Sequence, residues 1–175
     1  LALERSDGQK FAIRRSESRA KEFLRGFGIA YYAEKTSGPA SEFAEISFTK
    51  SGSIVLSTGT QSNGQGHETT FPQIVSTKLG IPLENIIFRQ GDTDVIIAGG
   101  GHGGSRSVHM GGAALYYASE RIISKGIQIA SHVLEVAQED IEFVNGQFLI
   151  VGTDKALSIF EVARMAQEPE YLPNY

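Results

Sequence analysis

The chain has 175 residues, 41% of them hydrophobic, which is enough to build the core of one domain or of part of a longer polypeptide. With 16 basic and 20 acidic residues the net charge is -4, which argues against binding to a nucleic-acid backbone. The absence of cysteine excludes disulfides, thiolate metal sites and iron–sulfur ligation by this chain. No apolar stretch approaches the length of a membrane span, and we expect a cytoplasmic location.

The first elements in chain order are a helix, a strand and a hairpin. "FAIRRSESRAKEFLRG" (11–26) is typical of a mostly polar helix, and "GIAYYAE" (28–34) of a strand that leads into the loop "KTSGPASE". On both sides of "TKSGS", apolar and polar residues alternate, which predicts a hairpin. One face of that hairpin is expected to carry Ile46, Phe48, Ile54 and Leu56.

The next predicted elements are a helix and a short strand. In "HETTFPQIVSTKLGIP" four apolar residues fall on one helical face, Thr69 or Thr70 is a candidate cap, and Gly80 with Pro82 ends the helix. The apolar face consists of Phe71, Ile74, Val75 and Leu79. "NIIFRQ" then indicates a strand.

The second half is predicted to contain a long helix, a second hairpin and a last helix. From Ser107 to about Ala137 the apolar residues keep a helical period, and glycines at 111, 112 and 126 allow close packing. "DIEFVNGQFLIVG" predicts two strands around an Asn-Gly turn, and Ser158 with Glu161 has the spacing of a capping box. The elements together predict an α+β fold, and residues 1–175 are interpreted as part of one domain of a longer chain without an internal boundary.

A glycine-rich stretch, "GGGHGGSRS", precedes the predicted long helix. Gly99, Gly101 and Gly104 satisfy the spacing of a dinucleotide-binding loop, but no second strand follows at the distance that a nicotinamide-binding βαβ unit requires. A Walker loop is excluded because no lysine precedes the hydroxyl residue. Since glycine lets a ligand approach the backbone and a helix start offers N–H groups, the stretch predicts a phosphate or pyrophosphate site. The alternative is a plain flexible turn.

A second polar cluster lies in "TQSNGQGHETT". Its side chains are suited to binding the edges of a heterocycle: Gln61, Asn63, Gln65 and His67. The alternative is a polar loop that forms hydrogen bonds with its own backbone. A zincin motif is incomplete because Phe71 stands where the second histidine is required. No residue is predicted to bind a metal directly.

The stretches "GTQSNGQGHETTFPQIVSTKLGIP", "GDTD" and "GGGHGGSRS" resemble the molybdenum-cofactor-binding large subunit of the xanthine dehydrogenase, aldehyde oxidase and carbon monoxide dehydrogenase family. The resemblance extends from "LRGFGIAYYAE" to "QEDIEFVNGQF", nearly the whole chain. It implies oxidative hydroxylation of an aldehyde, a purine or other N-heterocycle, or a related substrate such as carbon monoxide. It also implies an oligomeric complex whose Fe–S and FAD subunits or domains take up the electrons.

The resemblance further implies that both clusters bind the cofactor. Gln65 and Gly66 match the stretch that contacts the pterin of molybdopterin. The stretch that holds the pterin and the pyrophosphate of molybdopterin cytosine dinucleotide is matched by Gly103, Gly104, Ser105, Arg106 and Ser107. In the family the molybdenum is held by the pterin dithiolene, which fits a chain without a predicted metal-binding cluster.

The family's substrate-selecting loops and its glutamate base lie outside the segment that this chain matches. No catalytic residue is therefore expected here, and the chain alone is expected to be inactive. Glu68 does not match that glutamate. The alternative function is a scaffold or assembly domain of the same fold that has lost the cofactor, against which the intact "GQG" and "SRS" motifs argue.

Overall fold

The computed structural model describes residues 1–38 and 40–173, and its mixture of helices and small sheets confirms the α+β prediction. The chain forms two compact units, Leu1–Glu34 and Lys35–Tyr175. In the described part of the chain, no helix has the length and apolar character to cross a membrane.

The first unit is helical. It consists of α1 (Ala2–Arg5), a 3-10 turn and α2 (Phe11–Arg19). Within it, the Phe11 and Phe27 rings lie 5.3 Å apart, and the Arg14 guanidinium donates to the Asp7 carboxylate at 2.9 Å. The first contact joins α2 to the segment that follows it, and the second joins α2 to the residue that precedes the 3-10 turn.

Two predictions for the first unit are corrected. The helix predicted over 11–26 ends at Arg19, and Glu22 then takes a left-handed φ of 61°, which an α-helix cannot contain. The strand predicted over 28–34 is not formed, and none of the described strands pairs with it. A strand needs a neighbour for its N–H and C=O groups, and without one Tyr31 is 97% exposed.

Three strands form the first sheet of the second unit: β1 (Ala44–Phe48), β2 (Ile54–Thr58) and β3 (Ile86–Arg89). β1 and β2 are the predicted hairpin, with Ile46 opposite Leu56 and Phe48 opposite Ile54. β3 confirms the predicted short strand and pairs with β2 in parallel. The connection between these parallel strands contains α3 (His67–Leu79), as parallel pairing requires a crossover.

The predicted face of α3 is largely confirmed, since Phe71, Val75 and Leu79 are fully buried. The predicted threonine cap is wrong: the helix begins earlier, at His67, after a left-handed Gly66 with φ 79°. Its end is as predicted, because Gly80 adopts a left-handed φ of 64° that closes the last turn.

The long helix is confirmed and has two parts. A π-helical turn, Ser107–Gly111, leads into α4 (Gly112–Leu134), which ends three residues before the predicted limit. α4 packs against α3, against β1 of the first sheet and against the second sheet. A side chain at Gly126 would overlap the Phe148 ring, which is why this position of the helix has no side chain.

The second sheet contains β4 (Ile141–Val144), β5 (Gln147–Ile150) and β6 (Ala156–Ser158), all antiparallel. Asn145 and Gly146 form the predicted turn with positive φ values of 49° and 78°. The capping box of Ser158 and Glu161 is confirmed and starts α5 (Ile159–Met165). The short strand β6 has no counterpart in the sequence prediction.

Candidate cofactor site

Two loops leave the first sheet at the same edge. β2 and β3 run parallel, so their carboxyl ends, Thr58 and Arg89, lie at one side of the sheet. The amide loop, residues 59–66, connects β2 to α3, and the glycine loop, residues 90–106, connects β3 to the π-helical turn. These loops contain the two polar clusters that the sequence singled out. The carboxyl edge of parallel strands is a common location for ligand sites in open sheets.

Side chains connect the two loops directly. The Asn63 amide nitrogen lies 2.8 Å from His102 Nε2, which joins the middle of the amide loop to the middle of the glycine loop. Below this contact, the buried Thr60 hydroxyl donates to the Ser107 hydroxyl at 2.8 Å. The two clusters, separated by about forty residues in sequence, therefore form a single site.

Gln65 is exposed, and its amide oxygen accepts hydrogen bonds within its own loop. The donors are the Asn63 backbone N–H and the Ser62 hydroxyl, the latter at 3.5 Å. The backbone N–H groups of Gln65 and Gly66 form no hydrogen bond within the described residues. The amide side chain thus shapes the turn, while two backbone donors remain available on it.

His67, the first residue of α3, is fully buried, and its ring stacks on Phe71 at 4.6 Å. Neither ring nitrogen has a hydrogen-bond partner among the described residues, an arrangement that costs about 1–3 kcal/mol for a buried polar group. Burial lowers the pKa of His67 below 6.5, although the charge of Glu68 partly opposes this. Burial therefore favours the neutral imidazole beside the amide loop.

Glu68 takes part in a different set of bonds at the rim of the site. Its carboxylate accepts from the Gln90 amide at 2.7 Å, and the oxygen of the same amide accepts from the Ser62 N–H at 2.7 Å. Hydrogen bonds from its own backbone N–H and from Gln90 lower the pKa of the Glu68 carboxyl. Gln90, the first residue of the glycine loop, thereby connects that loop to Ser62 of the amide loop and to α3.

The glycines of the glycine loop fall into two groups. Gly99, Gly100 and Gly104 are needed for packing, because an added Cβ would overlap the Gly59 backbone, the Arg106 guanidinium and the Ser37 carbonyl, respectively. Gly101 and Gly103 have no heavy atom within 4 Å of the position that a Cβ would occupy. The packed glycines fix the path of the loop, and the other two leave its outer face open.

Arg106 and Glu42 form a buried ion pair behind the glycine loop. Arg106 Nη1 lies 2.7 Å from Glu42 Oε2, and the two side chains are 2% and 0% exposed. The same guanidinium donates to the carbonyls of Gly101 at 2.8 Å and Ser41 at 2.7 Å. Arg106 therefore lies inside the protein, although the sequence predicted a contact with the cofactor. That predicted contact stays a prediction.

Backbone donors also lie in the stretch 101–103 of the glycine loop. The N–H groups of Gly101, His102 and Gly103 form no hydrogen bond within the described part of the chain. Ser105 is exposed with a left-handed φ of 53°, while Ser107 is only 7% exposed. Consecutive unpaired N–H groups form a concave surface that favours anions.

The chain matches the model of one protein family, the molybdopterin cofactor-binding domain, over residues 1–172. It is 38% identical over 152 residues to the carbon monoxide dehydrogenase large chain of Afipia carboxidovorans, which covers 81% of this chain and 18% of that protein. It is 32% identical over 168 residues to the 6-hydroxypseudooxynicotine dehydrogenase complex subunit gamma of Paenarthrobacter nicotinovorans. This match covers 96% of this chain and 21% of that protein. The chain thus spans about a fifth of the length of these relatives.

A solved structure shows that the similarity extends to the fold. The crystal structure of a Cu,Mo-containing CO dehydrogenase superposes with a TM-score of 0.72 at 30% sequence identity, over 99% of this chain and 24% of that one. Together, the family match and these relatives show that the chain belongs to the molybdopterin cofactor-binding domain family.

The residues of the site fit such a cofactor. Molybdopterin combines an anionic phosphate part with a flat heterocycle, and the site pairs unpaired backbone N–H groups with side-chain amides. Gly66 and Gly103 leave open space on both loops. Among the described residues, no group of three or more His, Asp or Glu side chains has metal-ligand geometry. Among the residues whose side chains hold the two loops in place, Glu42 and Thr60 were not singled out as site residues from the sequence. An isolated acidic or hydroxyl residue gives no recognisable pattern.

Proposed function

We propose that this chain is the cofactor-binding segment of a molybdenum hydroxylase. In this proposal, the two loops hold molybdopterin in its cytosine dinucleotide form, and residues 1–175 are a continuous part of one cofactor-binding domain. When bound, the cofactor supplies the molybdenum centre for oxidative hydroxylation. Because the chain contains no cysteine, Fe–S clusters, like FAD, belong to partner subunits or other segments.

The observation that supports this proposal is that the amide loop and the glycine loop lie side by side. Residues far apart in sequence converge through the Asn63–His102 and Thr60–Ser107 contacts, and the joint surface has backbone donors that bond to none of the described residues. A plain turn does not need such a surface. The family match supplies the identity of the ligand.

Within this proposal the residues have distinct roles. Gln65 and Gly66 lie against the pterin, while the open backbone around Gly103, together with Gly104 and Ser105, receives the pyrophosphate. Arg106 and Ser107 are buried and support that surface from inside. No side chain described here is assigned to proton transfer, so catalysis requires the longer protein and the segment alone is inactive.

The test is purification of the full-length protein with its partner subunits. We expect close to one molybdenum per large subunit by elemental analysis, and cytidine monophosphate after acid release of the cofactor. Dye reduction is then measured with aldehydes, purines, other N-heterocycles and carbon monoxide. Protein from cells grown with tungstate, which replaces molybdate, is the inactive control.

Absence of both molybdenum and pterin from correctly folded, correctly assembled protein would favour the scaffold function instead. Molybdenum accompanied by a nucleotide other than cytidine monophosphate would retain the hydroxylase proposal and correct the form of the cofactor.

A further inference from the structure

We propose that Glu42 is the positioning residue of the cofactor site: its buried carboxylate holds the glycine loop in its binding shape before the cofactor arrives. This inference rests on the proposed function for the identity of the ligand, but the ordering of the loop is a property of the protein alone. Glu42 lies in the loop predicted over 35–42, and neither the motifs nor the family resemblance drew attention to it.

The position of Glu42 follows from the first hairpin. The β1–β2 register places Ala44 opposite Thr58, and beyond the strands the Gly59 N–H donates to the Phe43 carbonyl at 3.1 Å. Glu42 therefore lies beside Gly59, at the open end of the hairpin. A Cβ at Gly59 would approach a Glu42 carboxylate oxygen to 2.5 Å, so glycine at this position leaves room for the carboxylate.

The carboxylate reaches both ends of the glycine-rich stretch. It accepts from the Gly100 N–H at 3.2 Å and from Arg106 Nη1 at 2.7 Å. The guanidinium in turn donates to the Gly101 carbonyl. One acidic group thus fixes the beginning of the stretch and, through Arg106, its end. A third bond, from the Phe43 N–H at 2.9 Å, fixes the carboxylate itself.

These bonds use the buried Glu42 and Arg106 side chains, while His102 and Gly103 of the same loop are exposed and accessible to a ligand. The Arg106 and Gly100 groups are directed to Glu42, whereas the N–H groups of Gly101, His102 and Gly103 have no partner among the described residues. A buried charge is stable only when it is paired, which makes the ion pair a strong determinant of the loop path. A loop that is already ordered binds its ligand without a further loss of conformational entropy.

The first experiment uses the full-length protein produced in a host that cannot make molybdopterin. Hydrogen exchange, resolved to single amides by fragmentation in the mass spectrometer, is measured at Gly100 and at the β2 core amides. We expect clear protection of Gly100 in this cofactor-free protein. If Gly100 exchanges at the rate of an unstructured amide, the loop is not held before binding and the inference is overturned.

The second experiment replaces both members of the pair, Glu42→Gln with Arg106→Met, so that no single charge remains buried. The β2 amides should keep their protection, while protection at Gly100 falls. In protein produced with the cofactor pathway present, the apparent affinity for the cofactor, followed by molybdenum content, should fall roughly tenfold or more. This decrease corresponds to the loss of one charge-assisted hydrogen bond. Glu45→Gln is the matched control, because Glu45 is an exposed carboxylate on β1. This variant should retain as much molybdenum as the unaltered protein.

The outcomes separate the two proposals. The positioning role is overturned if the loop of the double variant has lost protection and the variant still retains as much molybdenum as the unaltered protein. If the unaltered protein contains no molybdenum, the proposed function fails, and the exchange rate at Gly100 still decides whether Glu42 orders the loop. If the double variant does not fold, the experiment on the unaltered cofactor-free protein remains decisive.

Discussion

The amide loop and the glycine loop are both rich in glycine, yet they are held in different ways. In the amide loop, Gln65 bonds to neighbours two and three residues away and shapes the turn, and Gly64 and Gly66 have open space around them. Asn63 and Ser62 add contacts to His102 and Gln90 of the glycine loop. In the glycine loop, the long-range bonds of Glu42 and the contact of Gly99 with Gly59 determine the path. Glycine therefore has two functions in one site: close packing inside and access outside.

This difference predicts that substitutions in the two loops will separate stability from cofactor retention. Changes to the inward groups of the glycine loop should destabilise the protein. Changes to outward groups of either loop should leave stability nearly unaltered and reduce binding or activity. The four predictions below are ordered from the largest expected effect to the smallest. Those on Arg106, on Gly99 with Gly103 and on Gln65 test this separation, and the one on His67 tests the buried residue that follows the amide loop.

Arg106→Ala should have the largest effect on stability. Removing the guanidinium leaves the Glu42 carboxylate buried without its cation, which costs about 3–5 kcal/mol. The measurement is denaturant unfolding of the cofactor-free full-length protein. Arg164→Ala, at an exposed position of α5, is the control and should change stability by less than about 0.5 kcal/mol. An Arg106 variant as stable as this control would show that the ion pair does not hold the loop.

Gly99→Ala and Gly103→Ala form a matched pair in one loop. At Gly99 the new methyl group would overlap the Gly59 backbone, and we expect a loss of about 1–3 kcal/mol or more. At Gly103 the space is open, so stability should change by less than about 1 kcal/mol while molybdenum content falls. Equal effects of the two substitutions on both stability and molybdenum content would contradict the separation of packed and open glycines.

His67→Phe should alter the acid side of the stability profile. Because burial lowers the pKa of His67 below 6.5, with Glu68 opposing and His102 adding to the shift, the unfolded chain takes up a proton that the folded chain does not. Stability from this group is therefore present above about pH 6.5 and is lost as the pH falls below it. Unfolding midpoints compared at roughly pH 7.5 and pH 5.5 should fall less for the phenylalanine variant. An identical decrease in both proteins would show that His67 is not kept neutral.

Gln65→Ala should have the smallest effect on stability, within about 1 kcal/mol, because the side chain is exposed and bonds only within its own turn. Activity per bound molybdenum should nevertheless fall, since in the proposed function the turn positions the backbone against the pterin. The two quantities are measured by thermal unfolding and by turnover normalised to metal content. A large decrease in melting temperature with unchanged turnover would make Gln65 a structural residue.

The sequence predicted the elements whose signals are local. Alternation around "TKSGS", the Asn-Gly turn and the Ser158–Glu161 capping box each determine their structure within a few residues, and the structure confirms all three. The segment 28–34 shows the limit, because its strand-like composition cannot provide a neighbouring strand. In the same way, Thr69 had a local preference for capping a helix, but α3 begins earlier, at His67.

For the site, the sequence identified both loops but not what holds them together. Motif and resemblance pointed to the residues of "GQG" and "GSRS", which the structure brings into one region. They gave no sign of Glu42, because its effect depends on a contact 64 positions along the chain. They also predicted a contact between Arg106 and the ligand. The structure shows the guanidinium bonded to Glu42, Gly101 and Ser41, which an arginine beside a phosphate motif does not reveal, and the contact with the ligand stays a prediction.

The contact between Gly126 and Phe148 has a consequence for natural variation in this protein. Any inherited replacement of Gly126 would bring a Cβ into overlap with the Phe148 ring of the second sheet, so that the ring or α4 must shift. α4 continues directly from the turn that follows the glycine loop. Such an allele would lower the amount of intact protein in the cell, because modest destabilisation increases the fraction that is degraded. The amount of protein would fall although every residue of the candidate site was unchanged, and measuring abundance would reveal the cause.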